Sequence, residues 1–254
     1  MTTYPDPAEL FPDVAALGSL AAALRKIAAE HGLELGDVRA NERSPISDAT
    51  VESTTPRREA LGIGAAALKR IWCPTGWGMG ISLISGGWTD DLVQVARVAH
   101  EWRAGTPLTE IRQALPFVKV TRRGEAAEHG GPAAVVDVQW ESMLMREAGT
   151  DEWPQHRALI EAAHAAPTLR QLYPYTSMWT LHFSTTTGYP FSPGMVALTA
   201  PRGKGPYRLK ASWRGPVLAE TASPEEAVAL AVAMIPDHIG PAIEGPYPYP
   251  EDHA

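Results

Sequence analysis

Apolar residues recur with helical spacing in several segments of the chain and with alternating spacing in others. The first predicted helix ends at Gly32, where a left-handed cap is expected. A second predicted helix has Thr89 as its N-cap and Asp90 and Asp91 in its first turn, where the helix dipole favours negative charge. The apolar faces of these two helices are Leu17, Leu20, Ala21, Leu24, Ile27 and Ala28, and Leu92, Val95, Ala96, Ala99 and Trp102.

Four further helices are predicted from spacing and capping signals. Thr106 as N-cap and Pro107 at the first helical position open a short helix. Residues 132–148 and 154–166 carry apolar side chains at helical spacing, and Pro167 closes the second of these segments. The run Ser223-Pro224-Glu225-Glu226 is a capping box with proline at the first position, and it opens the last helix.

Strands are predicted where the pattern changes to a period of two. Residues 68–72 and 79–84 are expected to pair through a turn at PTGWG, and PFVKV (116–120) is a further strand. From residue 178 to 218 alternation dominates, in MWTLHFS and in PYRLKASW. The predicted fold class is therefore α+β, with antiparallel β-meanders packed against amphipathic helices.

The same sequence of elements occurs twice, which suggests two structurally similar halves within one compact domain. ISLISGGWTDDLVQVARVA and LKASWRGPVLAETASPEEAVALAVA each join a meander to an acidic-capped helix. This indicates either a structural duplication or a coincidence, since capped helices commonly follow hairpins. The predicted divisions are a lead-in over 1–15, halves over 16–125 and 126–244, and a mobile tail over 245–254.

Composition and charge exclude several classes of protein. The net charge is −7, which argues against a nucleic-acid partner because phosphate binding needs concentrated Lys and Arg. No apolar run approaches the roughly 18 to 20 residues that span a bilayer, so no membrane partner is expected. The N-terminus lacks the pattern of a secretory signal, and Cys73 is the only cysteine. We therefore expect a cytoplasmic protein without disulfides.

No motif of the chain predicts a cofactor or a metal. GIGAAA (62–67) fits a dinucleotide fingerprint on paper, but TTPRREAL before it does not resemble a buried strand. No G-x-S-x-G motif is present, and Cys73 has no assignable partner. On the helix HRALIEAAH only Glu161 and His164 share a face, which is short of the three or four ligands that metals require.

The segment YPYTSMWTLHFSTTTGYPFSPG (173–194) is the best candidate for a site. If MWTLHFS is a strand, Trp179, Leu181 and Phe183 form a core face, and the other face aligns a hydroxyl, an imidazole and a hydroxyl. Histidine is the side chain best suited to proton transfer near neutral pH. The other interpretation is that this polar face is solvated or bonded to a neighbouring strand.

Segments along nearly the whole chain carry a resemblance to a known family. They are FPDVAALGSLAAAL, GGWTDDLVQVARVAHEWRAGTPL, GPAAVVDVQW, LIEAAHAAPTLRQLYPYTS, LHFSTTTGYPFS and SPEEAVALAVAMIPDHIGPAIEG. With these segments the chain resembles an uncharacterised actinobacterial family labelled natural-product biosynthesis protein. In that family a His often follows the Thr-Ser of the aromatic segment, where this chain has Met178. The resemblance implies a role in or beside secondary metabolism and carries over no cofactor or catalytic residue.

Two functional hypotheses follow. The first is a protein that holds a small-molecule or peptide intermediate in an aromatic cleft, extended to catalysis of a cofactor-free cyclisation, isomerisation or dehydration. The second is a non-catalytic interaction protein that binds another pathway protein, acts as a chaperone or immunity-like binder, or forms a homodimer. For the first hypothesis the candidate residues are His182 for proton transfer, Thr180 and Ser184 for orientation, and Arg170, Tyr175, Tyr189 and Phe191 for substrate binding.

Overall fold

Two five-stranded antiparallel sheets, each packed against helices, form the computed structural model of the chain, which confirms the predicted α+β class. The structure describes residues 4–146, 152–212 and 214–249. The chain divides into two compact units, Met1–Glu128 and His129–Ala254. Among the described residues, no helix has the length and apolar character needed to cross a bilayer.

The first unit contains one meander in which the strands lie in chain order, β1-β2-β3-β4-β5. Its strands are β1 (Val38–Ala40), β2 (Asp48–Val51), β3 (Leu61–Ala65), β4 (Trp72–Gly78) and β5 (Ile81–Ile84). Its helices are α1 (Pro7–Leu10), α2 (Pro12–Ala16), α3 (Leu20–His31), α4 (Leu92–Ala104) and α5 (Leu108–Ala114). The helix α6 (Arg122–Arg146) begins in this unit and is broken at Gly131, which has a φ of 64°.

Helices α3 and α4 lie side by side against the sheet of the first unit. Helix α3 contacts β1 and β2, and α4 contacts β3 and β4. Ser19 caps α3 by accepting a hydrogen bond from the amide of Ala22, and Gly32 ends it in the left-handed conformation that the sequence predicts. The indoles of Trp72 and Trp102 are fully buried between these layers. Their burial is a main source of the hydrophobic stabilisation of this unit.

The second unit repeats this arrangement with one interruption. Its remaining helices are α7 (Pro154–Ala165), α8 (Pro167–Arg170) and α9 (Pro224–Met234). Its strands are β6 (Tyr173–Ser177), β7 (Thr180–Ser184), β8 (Thr186–Gly188), β9 (Ala197–Thr199), β10 (Tyr207–Lys210), β11 (Val217–Thr221) and β12 (Ile243–Pro246). The main sheet has the order β11-β10-β9-β7-β6, and the remaining two strands, β8 and β12, pair in parallel with each other.

Each unit therefore has a helix, a five-stranded antiparallel meander and a second helix, in that order. In the second unit α7 packs beside α9, and α9 contacts β9 and β10, as α4 contacts β3 and β4 in the first unit. Strands β3 and β4 thus correspond in topology to β9 and β10, and α3 corresponds to α7. The predicted capping box of α9 is present, since Ser223 accepts a hydrogen bond from the amide of Glu226.

Several element boundaries differ from those predicted. Helix α4 is capped by Asp91, which accepts from the amide of Val93, so Thr89 is not its N-cap. The residue before α5 is Pro107 and makes no side-chain cap, so Thr106 is not the N-cap there. The segment PTGWG is part of β4, because the turn falls at Met79 and Gly80, which both have positive φ. PFVKV contributes a single bridge, from Val120 to Ile84, and no strand.

The ends of some predicted segments fall outside the described residues. Helix α6 is described to Arg146, whereas the prediction ran to residue 148. Strand β10 ends at Lys210, and residue 213 of the predicted strand PYRLKASW is outside the described residues. The predicted mobile tail begins inside β12, where Tyr247 donates from its amide to the carbonyl of Pro190. Residues 250–254 are not described.

A buried ion pair joins the loops and helices of the first unit. The side chain of Arg58, only 4% exposed, lies 2.8 Å from the carboxylate of Glu128 and 4.8 Å above the ring of Trp102. The guanidinium also donates to the carbonyls of Trp102 and Thr106, and Glu128 accepts from the amide of Leu108. Because a buried charge is costly without its partners, this network holds α4, the segment that leads into α5, and α6 to the loop between β2 and β3.

Replacing Arg58 by Met is expected to lower the free energy of unfolding by about 3 to 5 kcal/mol, since Glu128 would then be left without its cation. Urea denaturation measures the change. The matched control is Arg39→Met, because Arg39 forms exposed ion pairs with Asp37 and Glu52. Such pairs contribute less than about 1 kcal/mol. Equal losses in the two variants would contradict the role of the buried network.

Candidate functional site: a tryptophan and arginine cleft

The predicted row Thr180, His182 and Ser184 lies on β7, and all three side chains are buried. Phe183 points the other way and packs against Trp140 of α6. The row therefore lies on the face of the sheet away from that helix. It is covered by the chain itself, because β8 and the segment that follows it lie over this face and are held there by β12. The three residues are at most 4% exposed, so the row does not face bulk solvent.

The hydroxyl of Ser184 is fully used in local hydrogen bonds. It donates to the carbonyl of Thr186 at 2.8 Å and accepts from the amides of Thr186 and Ser192. The hydroxyl of Ser192 lies 3.2 Å away and itself accepts from the amide of Thr185. These bonds fix the bend that leads from β7 into β8. The hydroxyl of Ser184 therefore stabilises the backbone of its own loop.

His182 is enclosed in a stack of aromatic rings. Its side chain is 4% exposed, and its ring lies parallel to that of Tyr175 at a centroid distance of 5.0 Å. Tyr175 stacks on Phe191 at 4.5 Å, and Tyr189 meets Phe191 edge-on. The Nε2 atom of His182 has no hydrogen-bond partner among the described residues. Burial lowers the pKa of His182, because the charged imidazolium would lose its hydration there.

The structure thus brings together four of the predicted site residues, His182, Tyr175, Phe191 and Tyr189, as one aromatic stack. Burial raises the pKa of Tyr175, so its phenol stays protonated. Arg170 is different. It ends α8 with an exposed side chain, and its carbonyl accepts from the indole of Trp140. No described contact joins Arg170 to this stack.

Trp179 is not part of the core face that alternation predicts. Met178 and Trp179 form the two-residue turn between β6 and β7, with φ values of 50° and 64°. Their side chains are 72% and 61% exposed. Turns of this kind favour Asn and Gly, and a bulky residue at positive φ costs on the order of 1 to 3 kcal/mol. The chain therefore holds a large indole at the surface against both its backbone preference and its hydrophobicity.

The exposed indole of Trp179 forms one wall of a cavity of about 370 Å³. The other walls come from α6 at Arg146, from the start of α7 and from the loop between β9 and β10, so four separate segments of the chain meet here. The described lining residues are Arg146, Glu152, Trp153, Gln155, His156, Trp179, Arg202 and Gly203. We call this cavity the Trp153–Trp179 cleft.

The walls of the cleft are fixed by contacts with the loop after β9. The indole of Trp153 donates to the carbonyl of Pro201 at 2.6 Å and stacks on His156 at 4.7 Å. Gln155 donates to the carbonyl of Gly203. Trp179 meets Trp153 edge-on at 5.7 Å. The two indoles are thus held in place before any ligand binds.

Arg202 is the central charge of the cleft. Its guanidinium lies 4.8 Å above the ring of Trp153 and 5.5 Å from the ring of Trp179. Neither Arg202 nor Arg146 forms an ion pair with a carboxylate among the residues that the structure describes. Stacking uses the face of the guanidinium and leaves the N–H groups at its edge to bind an anion.

Comparison with known proteins assigns part of the chain to a family. Residues 134–246 match a family described as "Family of unknown function (DUF6193)". A DUF6193 domain covers this segment. It begins in α6 after the break at Gly131, ends with β12, and contains both the cleft and the His182 stack. No curated protein and no solved structure matches the chain.

Sequence reasoning missed the cleft because its residues are far apart in the chain. Arg202 does belong to a basic stretch, 201–211, but the sequence alone favours a solvated hairpin face for that stretch. The tryptophans gave no signal of exposure, since indoles in apolar segments are usually buried. Within the described residues, no cluster of three or more His, Cys, Asp or Glu side chains suits a metal ion.

Acid is expected to destabilise the protein through His182. The pKa of His182 is lowered in the folded state from its ordinary value of 6.5, so the unfolded chain binds the proton more readily. The contribution of the neutral His182 ring to the free energy of unfolding is fully present above pH 6.5 and is lost as the pH falls toward the lowered pKa. In this window the slope is at most about 1.4 kcal/mol per pH unit.

The variant His182→Phe keeps the ring stack and removes the titrating group, so the acid-dependent slope should decrease. Urea denaturation from pH 7 to 4.5 measures the slope. The control His31→Gln replaces an exposed histidine at the end of α3 and should leave the slope as it is in the wild type. A His182→Phe variant with an unchanged slope would show that His182 is not the acid-sensitive group.

Proposed function

We propose that the unit His129–Ala254 binds a small organic molecule in the Trp153–Trp179 cleft, and that this molecule is an intermediate of cytoplasmic natural-product biosynthesis. Binding in the cleft is supported by the structure of its walls. The pathway is supported by the resemblance of sequence segments, and the cytoplasmic location by the single cysteine.

The observation that carries this proposal is the placement of Trp179. Folding alone would favour a small residue at positive φ in an exposed two-residue turn. Strained backbone that carries an exposed apolar side chain is common at binding sites, because the ligand contact compensates the cost. The Trp179 indole faces a second indole and an arginine across a cavity. A ligand bound there would compensate the cost of the strained turn.

The size and chemistry of the cleft fit a small ligand. Binding pockets for small molecules typically have volumes of about 300 to 1,000 Å³, aromatic walls and a few polar groups that orient the ligand. The cleft has about 370 Å³, and its described lining includes two indoles, two arginines and the carboxylate of Glu152. A catalytic step at His182 has less support, because His182 and Ser184 make their contacts within the chain.

A deletion of the gene in its source organism is expected to cause an organic intermediate to accumulate, measured by mass spectrometry of extracts. Wild-type protein should restore the metabolite profile, and Trp179→Ala should not, because the cleft loses one wall. The control is Trp77→Ala, which removes an exposed indole from the first unit. Full restoration by Trp179→Ala, or an unaltered profile in the deletion strain, would overturn the proposal.

A second candidate function, a protein contact, is favoured by the edge of the second sheet. Strand β11 lies at the edge of its sheet, and its residues Val217 and Leu218 are exposed. Exposed apolar edge strands promote pairing between chains. We propose that β11 pairs with β11 of a second copy to form a homodimer. This contact would leave the cleft unoccupied.

Sedimentation velocity tests this contact. The wild type should sediment as a dimer, and Leu218→Lys should sediment as a monomer, because the lysine places a charge on the pairing edge. The control Ile243→Lys places the same charge at an exposed apolar position of β12 and should remain dimeric. A wild type that stays monomeric at protein concentrations up to about 100-fold above those of a ligand-binding titration would contradict the contact.

A further inference from the structure

Each unit has an arginine in the corresponding connection at one end of its own sheet. Arg70 lies in the connection between β3 and β4, and Arg202 lies in the connection between β9 and β10. These connections are equivalent in the shared topology. Each arginine stacks on tryptophan, Arg70 at 4.6 Å from the ring of Trp72 and Arg202 at 4.8 Å from the ring of Trp153. Trp72 begins β4, whereas Trp153 directly precedes α7, so the arginines correspond in topology and the tryptophans do not.

In the first unit the chain itself supplies the partners of the arginine. Arg70 donates to the carboxylate of Asp13 at 2.6 Å, and Asp13 belongs to α2. Phe11, directly before α2, is buried and lies 5.4 Å from the ring of Trp72. An aromatic ring and a carboxylate, two residues apart in sequence, thus cover this end of the sheet.

In the second unit the corresponding arginine lacks such a carboxylate. Arg202 stacks on two indoles, has no carboxylate partner among the described residues, and faces the cavity of about 370 Å³. The indole of Trp179 is 61% exposed and offers a surface for a planar ring. The cleft therefore presents an indole and a stacked guanidinium, the same kinds of group that Phe11 and Asp13 contact in the first unit.

We infer that the Trp153–Trp179 cleft takes an aromatic carboxylate, with its ring against Trp179 and its carboxylate on the N–H edge of Arg202. This inference rests on the proposed function and names its ligand class. Guanidinium and carboxylate match in plane and can form two parallel hydrogen bonds. Arg146 adds a second positive charge to the lining, so the two arginines outnumber the carboxylate of Glu152 there.

An alternative ligand class is disfavoured by the same geometry. Two indoles at an interplanar angle of 62° resemble the walls of a cage for an ammonium group. Here Arg202 already occupies the space between them as the cation, and it would repel a second one. A neutral aromatic molecule would bind the indoles but leave the guanidinium edge unused.

Isothermal titration of the full chain with 2-naphthoate tests the inference, with 2-naphthamide as the neutral analogue and cyclohexanecarboxylate as the non-aromatic one. The wild type should bind 2-naphthoate at least about tenfold more tightly than either analogue, since a charge-assisted hydrogen bond or a ring contact is lost in each. Arg202→Met should weaken 2-naphthoate binding by a similar factor and leave 2-naphthamide binding unchanged.

The control variant is Arg208→Met, which removes an exposed arginine of β10 that pairs with Glu220. It should bind 2-naphthoate like the wild type. Thermal unfolding of each variant shows that the fold is retained. Equal binding of the naphthoate and the naphthamide, or unchanged naphthoate binding by Arg202→Met, would overturn the ligand class.

The outcomes also separate this inference from the proposed function. If Trp179→Ala fails to restore the metabolite profile but 2-naphthoate does not bind the wild type, the ligand class is wrong and the proposed function stands. If Trp179→Ala restores the profile and 2-naphthoate does not bind, both are wrong. Binding of 2-naphthoate that depends on Arg202, together with failed restoration, supports both.

Discussion

The two-residue turn at Met178 and Trp179 sets the register of β6 and β7, and the second unit depends on that register. The turn pairs Ser177 with Thr180 and Tyr175 with His182. Successive side chains of a strand point to opposite faces, so a slip of one residue would exchange the two faces. Phe183 would leave Trp140, and His182 would enter the helix-packed core without a partner for its ring nitrogens.

A turn of Met and Trp is a costly way to fix this register, because both residues adopt positive φ without the freedom of glycine. The cost is offset in part by the contacts of the Trp179 indole with Trp153 and Arg202. The turn and the wall of the cleft are therefore one feature. A sequence such as Asn-Gly would form the turn more easily and would leave the cleft open on one side.

Sequence reasoning worked best where a local signal decides the structure. The capping box at Ser223 and the left-handed cap at Gly32 depend on a few neighbouring residues, so α9 begins and α3 ends as predicted. The turn at Trp179 has no such signal, since alternation continues through MWTLHFS and favours a strand. The burial of His182 depends on the pairing of β8 with β12. The paired residues of these two strands are about 60 positions apart in the chain.

The sequence indicates that aromatic side chains form the site, but it does not indicate where the site lies in the fold. The aromatic segment 173–194 does contribute to a cleft, through Trp179, while its histidine is enclosed by its own neighbours. The residues that give the cleft its charge and second wall, Arg202 and Trp153, come from other segments. Non-local assembly of this kind cannot be read from spacing along one segment, because it depends on which loops meet at one end of a sheet.

The comparison of the two units shows how one architecture can be closed or open at the same end. Both units place a stacked arginine in equivalent loops, so the difference lies in what meets its N–H edge. In the first unit Asp13 and Phe11 satisfy Arg70 and Trp72 from within the chain. In the second, the residues described around Arg202 provide rings but no paired carboxylate. The DUF6193 match covers the second of these ends and not the first, so the open arginine lies in the segment that matches this family.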